Sequence, residues 1–296
     1  MFVGAFKIIK MKKILLLICV FTIQNIFAQS TGKVLESISF FSKILGKEAK
    51  YSVYLPPDYD KNQRNYPVVY LLHGYSGNET DWIEQGEAPT LIDRAMAAGS
   101  LPPMIVVMPD AQNSWYVNAP TGIGNYEDFF IKEFIPRIDS TYRTRARKDA
   151  RALVGLSMGG YGSFMYSMKY PTLFGSCAVL SGAFLSDFSF EEKNPQAENF
   201  LEPVYGKTFN KNEAWQTNDP FYFLKKENVE SYNKVKIYFD CGDDDFVTAG
   251  QLRLDLHLRK LKINHELRIR EGVHNWQFWR EGLVPALQFC SGAFLH

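Results

Sequence analysis

The chain has 296 residues, of which 46% are hydrophobic and 15% aromatic, and its formal net charge is +1. That length is enough for one large core. Acidic and basic residues are mixed along it, which excludes a dedicated nucleic-acid face, and no repeat, heptad series or low-complexity linker interrupts it.

The chain opens with a leader-like pattern. Met11-Lys12-Lys13 supplies a basic start, residues 14–21 are apolar, and Ala28 precedes Gln29-Ser30. This predicts a signal over residues 1–28, starting at Met11 and cut after Ala28, with residues 29–296 as a single domain. The apolar run falls well short of the roughly 20 residues that cross a bilayer, so a secreted or periplasmic chain with no membrane span is expected. Cys177, Cys241 and Cys290 remain after cleavage. An odd number allows at most one disulfide.

Short apolar runs separated by helical spacing predict a mostly parallel sheet covered by helices. Residues 51–55 end at Pro56-Pro57 and read as an early, edge strand. Residues 67–72 read as a central strand closed by His73-Gly74, and residues 104–108 as another, stopped by Pro109-Asp110. Phe129, Phe130, Phe134 and Ile138 recur at helical spacing across residues 126–142, with Glu127 and Asp128 in the first turn. Residues 151–156 supply a strand and residues 161–169 the helix after it. Strands at 178–180 and 235–239, a helix at 251–261 and a strand at 266–270 complete the pattern. Residues 183–230 break it, with Pro195, Pro203 and Pro220 among polar and aromatic residues, and read as an insertion over the sheet's active edge.

Gly155-Leu156-Ser157-Met158-Gly159 spells G-x-S-x-G directly after the apolar run Ala152-Leu153-Val154. A serine nucleophile needs that setting if its hydroxyl is to stand on a sharp strand-to-helix turn. Acyl transfer also needs N–H donors aimed at the oxygen that becomes negative. The Met158 N–H, at a helix start without an intrahelical acceptor, is one candidate. The Tyr75 N–H, in the loop His73-Gly74-Tyr75-Ser76-Gly77, is the other. His73 itself reads as a structural histidine holding that loop.

The base is expected C-terminal to the serine. His274, in Glu271-Gly272-Val273-His274-Asn275-Trp276 after the last strand, can reach across the sheet edge to take the Ser157 proton. His257 sits within a helical repeat, His265 before a strand and His296 at the terminus, all poorer positions. For the acid, Asp240-Cys241-Gly242-Asp243-Asp244-Asp245 offers four carboxylates. Asp240 reads as closing the strand, and spacing leaves Asp244 and Asp245 open. Clustered carboxylates can hold calcium, but the twelve-residue loop pattern is absent, so no metal or cofactor is expected.

With these residues in hand, the chain resembles the esterase D / carbohydrate esterase family 1 group of α/β-hydrolases, which includes feruloyl and acetyl xylan esterases. The resemblance runs over residues 51–279. It rests on Leu71-Leu72-His73-Gly74, Asn113-Ser114-Trp115-Tyr116, Tyr126-Glu127-Asp128, Gly155 through Gly162, Ser181-Gly182, Asp240-Cys241-Gly242 with Asp245, and Gly272 through Trp276. It implies an α/β-hydrolase fold, a mostly parallel central sheet with helices on both faces, and a Ser157, Asp245 and His274 triad, choosing Asp245 over Asp244. It also supports Tyr75 and Met158 as oxyanion donors. Val273 stands where many relatives carry glycine. The implied activity is carboxylic-ester hydrolysis on an ester-substituted polysaccharide or oligosaccharide, with Trp82, Trp115, Trp276 and Trp279 as candidates to line an acyl or sugar cleft.

Overall fold

The computed structural model describes residues 31–122, 124–185, 195–206 and 213–294, all within one compact unit, Thr31–His296. The expected leader therefore lies outside the described residues. Eight strands form the main sheet: β1 (Lys33–Ser42), β2 (Lys47–Leu55), β3 (Val68–Leu72), β4 (Ile105–Pro109), β7 (Arg151–Leu156), β8 (Ser176–Leu180), β9 (Lys236–Gly242) and β10 (Glu266–Arg270). Their order is β1-β2-β4-β3-β7-β8-β9-β10. The pairs β1/β2 and β2/β4 are antiparallel and all others parallel. A two-residue ladder, β5 (Asn118–Ala119) with β6 (Gly124–Asn125), stands apart.

The central strands are apolar without alternation because both of their faces are covered. Val68, Tyr70, Leu72, Ile105, Val107 and Leu153 enter one core. Their neighbours Val69, Leu71, Val106, Met108, Ala152 and Val154 enter the other. On the first face lie Phe130 and Phe134, Phe164 and Met168, and Leu254 and Leu258, contributed by helical segments at 126–141, Met158–Lys169 and Thr248–Leu261. On the second lie Ile92 of helix Ala88–Ala97, and Leu283, Ala286 and Leu287 of helix Trp276–Ser291. Each buried Val, Leu, Ile, Phe or Met side chain among them contributes about 1.5–3 kcal/mol of transfer free energy.

Two local features differ from the sequence expectation. Residues 51–55 do not form an edge strand, because β1 pairs outside β2 and takes that role. Strand β1 carries a register shift between Leu35 and Ile38, where Ser37 has φ 50°, and much of it is exposed. An edge strand with one wet face leaves little apolar signal, and its bulge blurs the period of two. The helical run at 126–141 widens into a π turn at Phe130–Phe134. Pro136 follows at once, lacking an N–H and crowding the carbonyl four residues before it.

The described parts of the insertion include helices Pro195–Tyr205, Glu213–Gln216 and Pro220–Phe223. Asp219 caps the last of these, its carboxylate accepting the Phe221 N–H at 3.0 Å. Polar ties hold this segment down: the Tyr161 hydroxyl donates to the Asn218 carbonyl, and Lys169 Nζ donates to Asn218 Oδ1 at 2.5 Å and Glu127 Oε2 at 2.8 Å. Cys177, Cys241 and Cys290 are buried free thiols. Burial pushes Cys241 and Cys290 up to about 12, which keeps them protonated and unreactive. Among the described residues, no helix is long and apolar enough to cross a membrane.

Candidate active site

Ser157 links β7 to the helix Met158–Lys169 with φ 52° and ψ −117°. A non-glycine residue held there costs about 1–3 kcal/mol and persists only where its surroundings enforce it. The enforcement is visible. The Ser157 N–H donates to the Leu180 carbonyl at 2.9 Å, and its carbonyl accepts N–H bonds from Tyr161 at 3.0 Å and Ala183 at 3.1 Å. Gly159 presses the helix start against the end of β3, where a methyl group would collide with the carbonyl oxygens of Leu72 and His73.

The loop after β3 comes equally close. A Cβ on Gly74 would strike Leu156 and lie 3.5 Å from Ser157 Cβ, so residues 73–77 flank the serine. His73 holds this loop from inside, as its position suggested. Its Nδ1–H donates to the Gly74 carbonyl at 2.7 Å, and Nε2 accepts the Ala111 N–H at 2.8 Å. The Tyr116 hydroxyl donates to the His73 carbonyl at 2.9 Å, and Asn113 Oδ1 accepts the Ser76 N–H at 2.7 Å. The structural work of Asn113 and Tyr116 was not apparent in the sequence, where both appeared only inside a shared motif.

Burial lowers the His73 pKa against the opposing pull of the Gly74 carbonyl and the Asp110 and Glu79 charges. The unfolded chain therefore binds a proton that the folded chain refuses, so stability present above about pH 6.5 drains away as acid is added. In His73→Gln the melting temperature should be lower at neutral pH but fall less steeply toward acid. A wild-type slope in that variant, read by thermal denaturation across the range, would contradict the assignment.

His274 lies in the loop between β10 and the helix Trp276–Ser291, which Asn275 caps by accepting the Phe278 N–H at 2.9 Å. Its Nε2 is 3.0 Å from Ser157 Oγ, and its Nδ1 is 2.9 Å from each Asp245 carboxylate oxygen. A carboxylate only accepts, so Nδ1 carries the proton and Nε2 is left to accept the serine O–H. Asp245 is buried, and its Oδ1 also accepts the Val247 N–H at 3.1 Å. Asp244 is exposed and meets this region through its backbone, its N–H donating to the Gly272 carbonyl at 3.1 Å. The geometry thus separates the two aspartates that spacing left open.

Other sequence candidates fall elsewhere. Asp240 does not close its strand, since β9 runs on to Gly242. It is buried against Arg270, with Nε 3.0 Å from Oδ1, and ties β9 to β10. Burial raises its pKa against that pairing. His265 Nε2–H donates to the Asp255 carboxylate at 2.8 Å, in a pair remote in sequence from the serine turn. Among the described residues, Asp243, Asp244 and Glu271 form an exposed acidic group. Asp243 there braces the turn by accepting the Gly272 N–H at 3.0 Å.

The four tryptophans do not form a common open wall. Trp82, Trp115 and Trp279 are buried, and their indole N–H groups donate to the Leu72 carbonyl, the Phe200 carbonyl and Ser181 Oγ. An indole carries enough apolar area to be drawn inward once its one donor is satisfied. Trp276, partly buried, joins Trp82 and Trp279 edge to face. Trp279 in turn meets the His274 ring at 4.9 Å and 90°, so it orients the imidazole. Trp115 does line a small cavity of about 10 Å³ with Tyr161, Leu201, Tyr205 and Trp215. That cavity reaches Ala183, which is bonded to the serine backbone. In this conformation it has room for about one water.

The chain is similar to several known esterases. Residues 42–290 match the esterase family model described as "Putative esterase". An endo-1,4-beta-xylanase/feruloyl esterase of Xylanibacter ruminicola is 36% identical over 174 residues, which is 56% of this chain and 24% of that protein. The chain thus spans well under two thirds of that relative. An acetyl esterase of Caldicellulosiruptor saccharolyticus is 28% identical over 266 residues, covering 86% of this chain and 97% of the relative. The solved structure of a ferulic acid esterase superposes with a TM-score of 0.77 at 29% identity, covering 90% of this chain and 99% of the other. With the mostly parallel eight-stranded sheet, these matches place the chain in the esterase family, as a carboxylic ester hydrolase of the α/β-hydrolase fold.

Proposed function

We propose that this chain is a secreted serine esterase that removes acyl groups, feruloyl ahead of acetyl, from ester-substituted plant cell-wall polysaccharide. The observation that carries the catalytic part is the unbroken hydrogen-bonded row from Ser157 Oγ through His274 to the buried Asp245 carboxylate. Ser157 Oγ attacks the ester carbonyl carbon while His274 Nε2 takes its proton, and the Asp245 charge stabilises the imidazolium. The carbonyl oxygen becomes an oxyanion held by the Tyr75 and Met158 N–H groups. Collapse breaks the C–O bond, Nε2 returns the proton to the departing alcohol oxygen, and Ser157 carries the acyl group. Water then attacks the acyl carbon as Nε2 takes its proton, the bond to Ser157 Oγ breaks, and Nε2 returns the proton to Oγ as the acid leaves.

Names of relatives support the substrate class, since one is an endo-1,4-beta-xylanase/feruloyl esterase and another an acetyl esterase. Aromatic side chains around the cavity beside the serine suit a phenolic acyl group, which would require that cavity to widen. The leader-like residues 11–28 support export, as intact polysaccharide cannot enter a cell. Incubation with feruloylated and acetylated xylan should release ferulate faster than acetate, both followed by chromatography. Release of acetate alone would reverse the acyl preference, and release of neither would overturn the polysaccharide reading.

A further inference from the structure

Among the described residues, two apolar side chains that adjoin the triad in sequence stand exposed. Phe246 is 56% exposed and Val273 45% exposed. The first directly follows Asp245 and the second directly precedes His274. Phe246 lies in a turn whose neighbours Asp245 and Val247 are buried and linked by the carboxylate-to-Val247 N–H bond. Its own ring contributes no such tie. Instead it stands against the imidazole of His274, with ring centroids 4.5 Å apart and planes at 53°. An aromatic ring left in water beside a reactive imidazole marks a contact surface more readily than a packing position.

The chemistry assigns that surface a side. His274 Nε2 must hand its proton to the leaving alcohol oxygen, so the alcohol half of the ester departs past the imidazole. The acyl half is then assigned to the side of the Tyr75 loop, whose ring meets Trp115 of the aromatic cavity. Resting on the serine-esterase reading above, we infer that Phe246, with Val273 beside His274, forms the alcohol-side subsite, an apolar shelf on which the face of a sugar ring stacks. This subsite supplies the recognition of a glycosyl alcohol that the buried Trp82 and Trp279 cannot.

The test compares two esters with the same acyl group, methyl ferulate and a feruloylated monosaccharide glycoside, on wild type, Phe246→Ala and Phe246→Trp. Loss of a stacked aromatic face should lower the kcat/KM ratio of sugar ester to methyl ester about tenfold in Phe246→Ala, mainly through KM, while Phe246→Trp keeps the wild-type ratio. An unchanged ratio in Phe246→Ala overturns the subsite. So does an equal fall for both esters, or a shifted pH profile, either of which would make Phe246 a positioning residue for His274. A wild-type enzyme that cleaves neither ester, or a Ser157→Ala variant that cleaves both, removes the serine-esterase reading and the subsite with it.

Discussion

Ser157→Ala should lower kcat by about 10⁶-fold, leaving only what oxyanion donors and substrate binding provide. In the proposed reaction the hydroxyl bonds covalently to the acyl carbon, with His274 Nε2 3.0 Å away to accept its proton. His274→Ala should cost about as much, because an unactivated serine hydroxyl is a weak nucleophile at neutral pH. The double variant should be no slower than either single one, since the members act as a unit. Fold is not at stake: the turn is held by backbone bonds from Ser157 to Leu180, Tyr161 and Ala183, which alanine retains. Steady-state rates with wild-type circular dichroism would check this. Additive losses in the double variant would mean that the two side chains serve separate steps.

Asp245→Asn should lower kcat by about 10⁴-fold with little change in KM. The substitution keeps shape and removes charge. A carboxamide can turn its N–H₂ toward His274 Nδ1, which favours the tautomer with the proton on Nε2, pointed at Ser157 Oγ where an acceptor is needed. The imidazolium formed during attack also loses its buried counter-charge. Asp244→Asn is the matched control: that side chain is exposed, and its residue meets the site through its backbone N–H. It should retain a kcat near wild type. A larger loss at Asp244 than at Asp245 would contradict the orientation given to the acid.

Much of the architecture was legible because the central strands are buried on both faces. Runs such as Val68–Leu72 and Arg151–Leu156 stand out from the helices between them. The edge strand β1 was not legible, as half of it faces water and a bulge interrupts its alternation. The turn Gly155-Leu156-Ser157-Met158-Gly159 could be read from local sterics alone, because a sharp corner against β3 leaves no room for side chains at its glycines. Selecting Asp245 required three-dimensional information or resemblance, since four carboxylates crowd six positions, two of them, Asp240 and Asp245, are buried, and contact with His274 is what sets Asp245 apart.

The tryptophans are drawn inward for a related reason. Flat aromatic rings suit a sugar cleft, yet the same apolar area drives them into the core when a backbone carbonyl satisfies the indole N–H, as Leu72 does for Trp82. Phe246 escaped notice because a single apolar residue in an acidic loop has no period to reveal it. Its significance depends on the ring it touches.

The most direct test of the central claim is rapid mixing of the enzyme with a chromogenic acetate ester, followed by acid quench and peptide mass analysis. Acyl transfer through Ser157 gives a burst of about one alcohol per enzyme, with the acetyl mass on the peptide containing Ser157. A burst of the same size in Ser157→Ala, or an acetyl group carried by another residue, would contradict it.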